Sequence, residues 1–117
     1  MYDAPPAGWK GNCDTGEGFG VANCNNKLIG ARYYKPAGLE LHWTEFLSAR
    51  DSVAGVEGHG GHGSHTSSTA AGNAGVTAQN GGLNFGKVSG MAPRARIAAY
   101  KVCWTDAATG KLSLIHI

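Results

Sequence analysis

Residues 61–73 read GHGSHTSSTAAGN, a run of small residues and histidines between two glycines. Its side chains are small and the run ends at Gly72, so we predict a helix over residues 62–71. We expect Gly72 to end this helix with a positive φ angle, which glycine tolerates. Residues of such modest helix propensity do not hold a helix alone in water. The helix must therefore pack closely against other backbone.

The clearest strand prediction is residues 95–102, which read ARIAAYKV. This run is mostly apolar on both faces, as in the parallel sheet of an α/β protein. Residues 27–34 form a second predicted strand, and residues 74–90 indicate a glycine-rich hairpin that leads to a turn at 91–93. Residues 43–47 are compatible with a helical turn. A helix followed by a buried strand suits a βαβ arrangement.

The composition indicates a weak independent core. Leu, Ile, Val and Phe together make up only 20 of the 117 residues, whereas Gly contributes 19. Few large apolar side chains and many glycines make an isolated chain costly to order. We therefore expect a piece of a larger fold that shares its core with sequence outside these residues, and only marginal folding of the chain alone.

Charge and hydropathy exclude two classes of partner. The net charge is +2 at pH 7 and 15% of the residues are charged, which argues against nucleic acid or an anionic membrane surface. The sequence contains no run of 18 apolar residues, so it predicts no transmembrane helix. It also lacks a signal peptide at its start.

Three histidines, His59, His62 and His65, recur at every third position and allow three interpretations. One of them is a catalytic base, because imidazole accepts and returns a proton near neutral pH. Alternatively, the three rings together bind a metal ion, although the glycines between them argue against one continuous helix. A third interpretation is a flexible loop without a chemical role.

The three cysteines also leave alternatives open. Ten residues lie between Cys13 and Cys24, a spacing that fits a short disulfide loop in an oxidising compartment but also two free thiols. Cys103 is the odd residue, and its partner would lie outside the chain. The absence of a CxxC pair argues against a structural zinc site built from cysteine.

Four separated stretches carry a family resemblance. Residues 61–66 resemble the histidine motif of the subtilase family, the subtilisin-like serine peptidases. Residues 6–33 are similar to the segment between the catalytic aspartate and histidine in large plant and bacterial subtilases related to cucumisin. Residues 69–73 and 90–104 match the same branch in the same order. The resemblance implies an α/β fold, here a partial subtilisin-like fold with a mainly parallel central sheet flanked by helices.

The resemblance also implies roles for individual residues. His62 corresponds to the general base, His65 to a structural residue near the site, and Cys13 and Cys24 to a disulfide. Asp14 is followed by Thr and Gly, as the catalytic aspartate of the family is, but it follows Gly11-Asn12-Cys13 rather than an apolar strand. We therefore interpret Asp14 as a loop residue and expect the catalytic aspartate upstream of residue 1.

The nucleophile is also expected outside the chain. The Gly-Thr-Ser-Met motif of the family is absent, and no serine of the chain stands in such a context: Ser64, Ser67, Ser68, Ser89, Ser113. We expect residues 1–110 to be part of a peptidase catalytic domain. Residues 111–117 form an atypical tail whose apolar run has nothing here to bury it, and His116 within it receives no role.

The resemblance implies a serine endopeptidase with an Asp-His-Ser triad, of which this chain holds only the histidine and is inactive alone. No cofactor is required for the chemistry and no metal ligand is assigned. Structural calcium is compatible with the whole protein, but the chain shows no acidic cage. We expect a monomer secreted as a precursor, with protein or peptide substrates and no nucleic-acid or membrane partner.

Overall fold

The computed structural model describes residues 2–53 and 60–114. Within these ranges lie one α-helix, six strands and a short 3₁₀ helix at Val21–Asn23. The helix α1 spans His62–Ala71, as the sequence predicted. The strands are β1 Leu28–Tyr33, β2 Val76–Asn80, β3 Leu83–Val88, β4 Ile97–Lys101, β5 Cys103–Thr105 and β6 Leu112–Leu114.

The central feature is a parallel pair formed by β1 and β4, with Ala31 opposite Ala99 and Tyr33 opposite Lys101. The chain passes through α1 and the β2–β3 hairpin between these strands, so the predicted βαβ arrangement and α/β class are confirmed. Residues 12–14 lie along the other edge of β1, where Cys13 forms a parallel bridge with Ala31. In the described part of the chain no strand pairs with the other edge of β4.

The end of α1 differs from the prediction. Gly72 has φ −62° and ψ 148°, so it leaves the helix in an extended conformation and not with a positive φ. The amides of residues 90–92 instead satisfy the carbonyls at the helix end. Gly90 donates to Gly72 O, Met91 to Thr69 O and Ala92 to Ala70 O, at 2.8–3.0 Å. Neighbouring backbone thus replaces the local cap that the sequence suggested.

This contact explains Gly90 in terms of space. A Cβ atom at Gly90 would lie 2.2 Å from Gly72 N, far below van der Waals contact, so glycine at position 90 lets the two backbones meet. A Cβ atom at Gly72 would lie 2.4 Å from Ser68 O, which belongs to the last turn of α1 itself. The requirement for close packing of α1, predicted from its small residues, is met at this end of the helix.

The core is small, as the composition indicated. Among the residues that the structure describes, the buried apolar ones are Ala31, Ala71 and Trp104, of which Trp104 is completely buried. The expectation that residues 95–102 are covered on both faces is wrong for the described structure, because β4 is only half-buried and Tyr100 is 54% exposed. In the described chain β4 pairs with β1 alone, which leaves its other edge open.

Two further segments depart from the predictions. Residues 43–47 contain a single turn, in which the Glu45 N–H bonds to His42 O at 2.9 Å, and no helix. In the tail, β6 pairs antiparallel with β5, with Trp104 opposite Ser113. The start of the apolar run therefore has a partner, although Leu112 remains 49% exposed. The rest of the tail, residues 115–117, lies outside the described residues.

The described residues contain no helix that is long and apolar enough to cross a bilayer. The β2–β3 hairpin is confirmed, and every residue of β3 is exposed. Its exposed apolar side chains include Leu83 and Phe85, both more than 60% accessible.

Substitution of Gly90 tests the contact between the two backbones. We expect Gly90→Ala to lower the free energy of unfolding by about 1–3 kcal/mol, because the new methyl group forces Gly72 and Gly90 apart. Gly8→Ala is the matched control, since nothing lies within 4 Å of a Cβ at that position. Urea unfolding followed by circular dichroism measures both, and equal midpoints for the two variants would contradict the prediction.

Candidate active site

His62 is the first residue of α1. Gly61 precedes it with φ 81°, a left-handed conformation that favours glycine and turns the chain sharply into the helix. The His62 side chain is solvent-exposed. The imidazole therefore projects from a rigid helix end and remains accessible, which is what a proton-transfer group requires.

A cavity of about 1030 Å³ lies beside this helix end. The first two turns of α1 contribute His62, Gly63, Ser64 and Ser67 to its lining. The whole of β4 forms another wall, and residues 49–52 close a third side. The cavity thus brings the predicted catalytic histidine next to the parallel strand pair.

Asp51 supports the start of the helix. Gly61 has no side chain that could cap α1, and no local side chain does so. Asp51 Oδ2 accepts a hydrogen bond from the Ser64 backbone N–H at 2.6 Å, the donor that an N-cap side chain normally satisfies. Its negative charge also lies at the positive end of the helix dipole. Asp51, which lies outside the helix and earlier in the chain, therefore supplies the N-terminal cap that the residues at the start of α1 lack.

Sequence reasoning missed Asp51. It stands ten residues ahead of the N-cap Gly61, and the capping rules consider only the residues at the helix start. The available signal was a helix that begins with glycine and two carboxylates shortly before it, Asp51 and Glu57, and the sequence does not distinguish between them. No spacing rule connects the two across residues 54–59, which lie outside the described residues.

The structure leaves the other histidines without an assigned role. His65 is exposed, and its structural role stays a prediction. His59 and His116 lie outside the described residues, so the three-histidine metal site stays an open alternative. Among residues 2–53 and 60–114, no three His, Cys, Asp or Glu side chains are grouped so that they could hold a metal ion.

Asp14 lies on a loop, as predicted from its flanking residues. Its carboxylate accepts a hydrogen bond from Arg32 Nε at 3.2 Å in a largely exposed ion pair. It is not among the residues that line the cavity beside His62.

The hydroxyl groups of Ser67 and Ser68 are engaged within the helix. Ser67 Oγ donates to Gly63 O at 2.7 Å and Ser68 Oγ donates to His65 O at 3.0 Å. These bonds are the back-bonding that serine makes inside helices. They give these serines a local structural partner, in keeping with the absence of a nucleophile motif around them.

The cysteines divide into a pair and a single residue. Cys13 and Cys24 form a disulfide, which is the pairing that the family resemblance implied. It closes the loop that leads into β1. Cys103 is free and half-buried, and it lines the cavity at the end of β4.

Removal of the Asp51 carboxylate tests its capping role. We expect Asp51→Ala to destabilise α1 by about 0.5–2 kcal/mol, because the Ser64 amide loses its acceptor. Asp51→Asn keeps an acceptor oxygen and should cost less, mainly the charge–dipole contribution of about 0.3–1 kcal/mol. Hydrogen exchange of the Ser64 amide measures both effects, and unchanged exchange in Asp51→Ala would contradict the assignment.

Comparison with known proteins agrees with this geometry. A model of the subtilase family matches residues 37–115. Subtilisin-like protease SBT3.7 of Arabidopsis thaliana is 43% identical over 99 residues, which cover 85% of the chain and 13% of that protein. Subtilisin-like protease SBT1.6 of the same plant is 45% identical over 107 residues, 86% of the chain and 13% of the relative.

These matches extend well beyond the histidine motif. The family match runs through residues 44–53, α1, the hairpin and β4, and the chain spans about 13% of the length of these curated relatives. A family match over more than half of the chain, together with the parallel strand pair and the helix that begins at His62, establishes the relationship. The chain belongs to the subtilase family.

Proposed function

We propose that residues 1–110 are part of the catalytic domain of a secreted serine endopeptidase and that His62 is its general acid and base. The observation that carries the proposal is the position of His62, exposed at the first residue of α1 and lining a large cavity. The relatives named above are described as subtilisin-like proteases, which supports the same reaction class. The aspartate and the serine of the triad are contributed by sequence outside these residues.

In the proposed reaction His62 takes the proton of the serine hydroxyl while the serine oxygen attacks the scissile carbonyl. The imidazolium then returns this proton to the leaving amine as the peptide C–N bond breaks, which leaves an acyl-enzyme. Water attacks the acyl-enzyme with the same imidazole as base, and the serine leaves with the proton. The substrates are proteins or peptides, and no metal or cofactor takes part in these steps.

The residues of this chain shape the environment of the proton carrier. The positive end of a helix dipole opposes a positive charge on the first residue of the helix. Asp51 offsets this effect, because its carboxylate is bound to the amide two residues after His62. The charge of the triad aspartate would add to it when that residue is in place.

Replacement of His62 tests the proposal in the longer protein. The coding sequence is extended upstream to the expected catalytic aspartate and downstream to a Gly-Thr-Ser-Met motif. We expect His62→Ala to lower kcat/KM for a peptide substrate at least about 1,000-fold, because the proton acceptor is lost. His59→Ala is the matched control and should retain activity. Equal activity of wild type and His62→Ala would overturn the proposal.

The chain of 117 residues is expected to be inactive by itself, because it lacks the nucleophile and the aspartate. The purified chain should neither cleave casein nor be labelled by a fluorophosphonate probe. Casein cleavage that a serine-directed inhibitor abolishes would contradict this prediction. Zinc titration of the same sample addresses the metal-binding alternative, for which stoichiometric binding lost in His59→Ala would be the expected result.

A further inference from the structure

Lys101 is a buried cation at the end of β4. Its side chain is only 10% exposed, and that of its ion-pair partner Glu45 is 2% exposed. Lys101 Nζ lies 2.8 Å from Glu45 Oε2 and donates hydrogen bonds to Phe46 O at 3.1 Å and to Arg50 O at 2.7 Å. The ammonium group also sits 4.2 Å from the ring centre of the fully buried Trp104.

These contacts hold the ammonium group on the 45–50 segment. Of the three N–H donors that lysine carries, two bond to the carbonyls of Phe46 and Arg50, and the charge pairs with Glu45 Oε2. Glu45 is held in turn, because its Oε1 accepts the Thr105 N–H at 2.9 Å. Its Oε2 is held by the charge of Lys101 and has no hydrogen-bond partner in the described structure. The segment is therefore fixed to β4 and β5 at three points.

The fixed segment leads directly to the start of α1. Arg50, whose carbonyl binds Lys101, is followed by Asp51, whose carboxylate binds the Ser64 amide at 2.6 Å. A second contact stiffens this stretch, because the buried Ser48 Oγ donates to Glu17 O and accepts the Arg50 N–H. Lys101 and the first turn of α1 are thus linked through two adjacent residues. Lys101 binds the carbonyl of Arg50, and the side chain of the next residue, Asp51, binds the Ser64 amide.

We propose that Lys101 is a positioning residue for His62 and that it acts through the 45–51 segment and Asp51. Lys101 fixes the segment against the sheet, the segment places the Asp51 carboxylate, and the carboxylate sets the first turn of α1 that carries His62. The pair of buried charges is retained for this placement rather than for stability, since such pairs contribute little net stabilisation. The catalytic consequence rests on the proposed function, whereas the geometric link does not.

Hydrogen exchange on the full chain tests the link without reference to activity. In Lys101→Met we expect the Ser64 amide to exchange at least about tenfold faster, because the segment that holds its acceptor is released. The amides of Ala31 and Met91 are internal references, since they bond to Asn12 O and Thr69 O away from the segment. They should change less than about threefold. Lys87→Met, on the exposed hairpin, is the matched control and should change none of these amides.

A lone Lys101→Met change leaves Glu45 buried without a counter-ion, and the chain then risks failing to fold. The double variant Glu45→Gln/Lys101→Met removes both charges and keeps an Oε1 acceptor for the Thr105 N–H. It should show the same selective acceleration of hydrogen exchange at the Ser64 amide. Equal acceleration of the Ser64, Ala31 and Met91 amides in this variant would identify a merely structural pair and overturn the proposal. Unchanged exchange at Ser64 would also overturn it.

Kinetics on the longer protein complete the test. We expect the double variant to lower kcat about 10- to 100-fold with little change in KM, because a displaced base affects the chemical step more than substrate binding. Lys101→Arg keeps the cation and should recover part of kcat. If the unsubstituted longer protein is inactive but the double variant still loses exchange protection selectively at the Ser64 amide, the geometric link is upheld and the proposed function is rejected. If the double variant is as active as the wild type, the role of Lys101 in positioning His62 is rejected.

Discussion

The parallel pairing of β1 and β4 is the constraint on which the other elements depend. More than sixty residues separate the paired positions Ala31 and Ala99, and parallel strands cannot be joined by a tight turn. The chain between them must therefore cross over, and α1 lies in this crossover. One end of the crossover is fixed by β1 and the other by β4, and the first turn of α1 and β4 line the same cavity. The cavity beside His62 follows from this topology.

How far the sequence predicts this arrangement depends on how local each signal is. The bounds of α1 and the two parallel strands followed from runs of small or apolar residues between glycines, which are local patterns. The C-terminal cap at Gly72 was predicted wrongly, because the amides that satisfy the helix carbonyls come from residues 90–92. The role of Asp51 was missed for the same reason. In both cases the partner is distant in sequence, and tertiary contact overrides the local rule.

The expectation of a strand buried on both faces failed for a different reason. The apolar pattern of β4 is that of a strand in the interior of a parallel sheet, yet in the described structure one edge has no strand partner and Tyr100 is half-exposed. The pattern and the exposure are compatible if the sequence is adapted to a larger sheet. The chain spans about 13% of the length of its curated relatives. Its apolar pattern therefore suits a larger core than the small one that the described residues form.

The buried Lys101–Glu45 pair is best understood against this small core. With three buried apolar residues, the described part of the chain gains little rigidity from side-chain packing. Hydrogen bonds and ion pairs are directional, and they can fix a segment where apolar contacts are too few to do so. Lys101 takes one carboxylate and two carbonyls from a segment that has no regular secondary structure. Since that segment carries the acceptor for the first turn of α1, a defined position for His62 requires an ordered segment, and directional polar contacts provide that order.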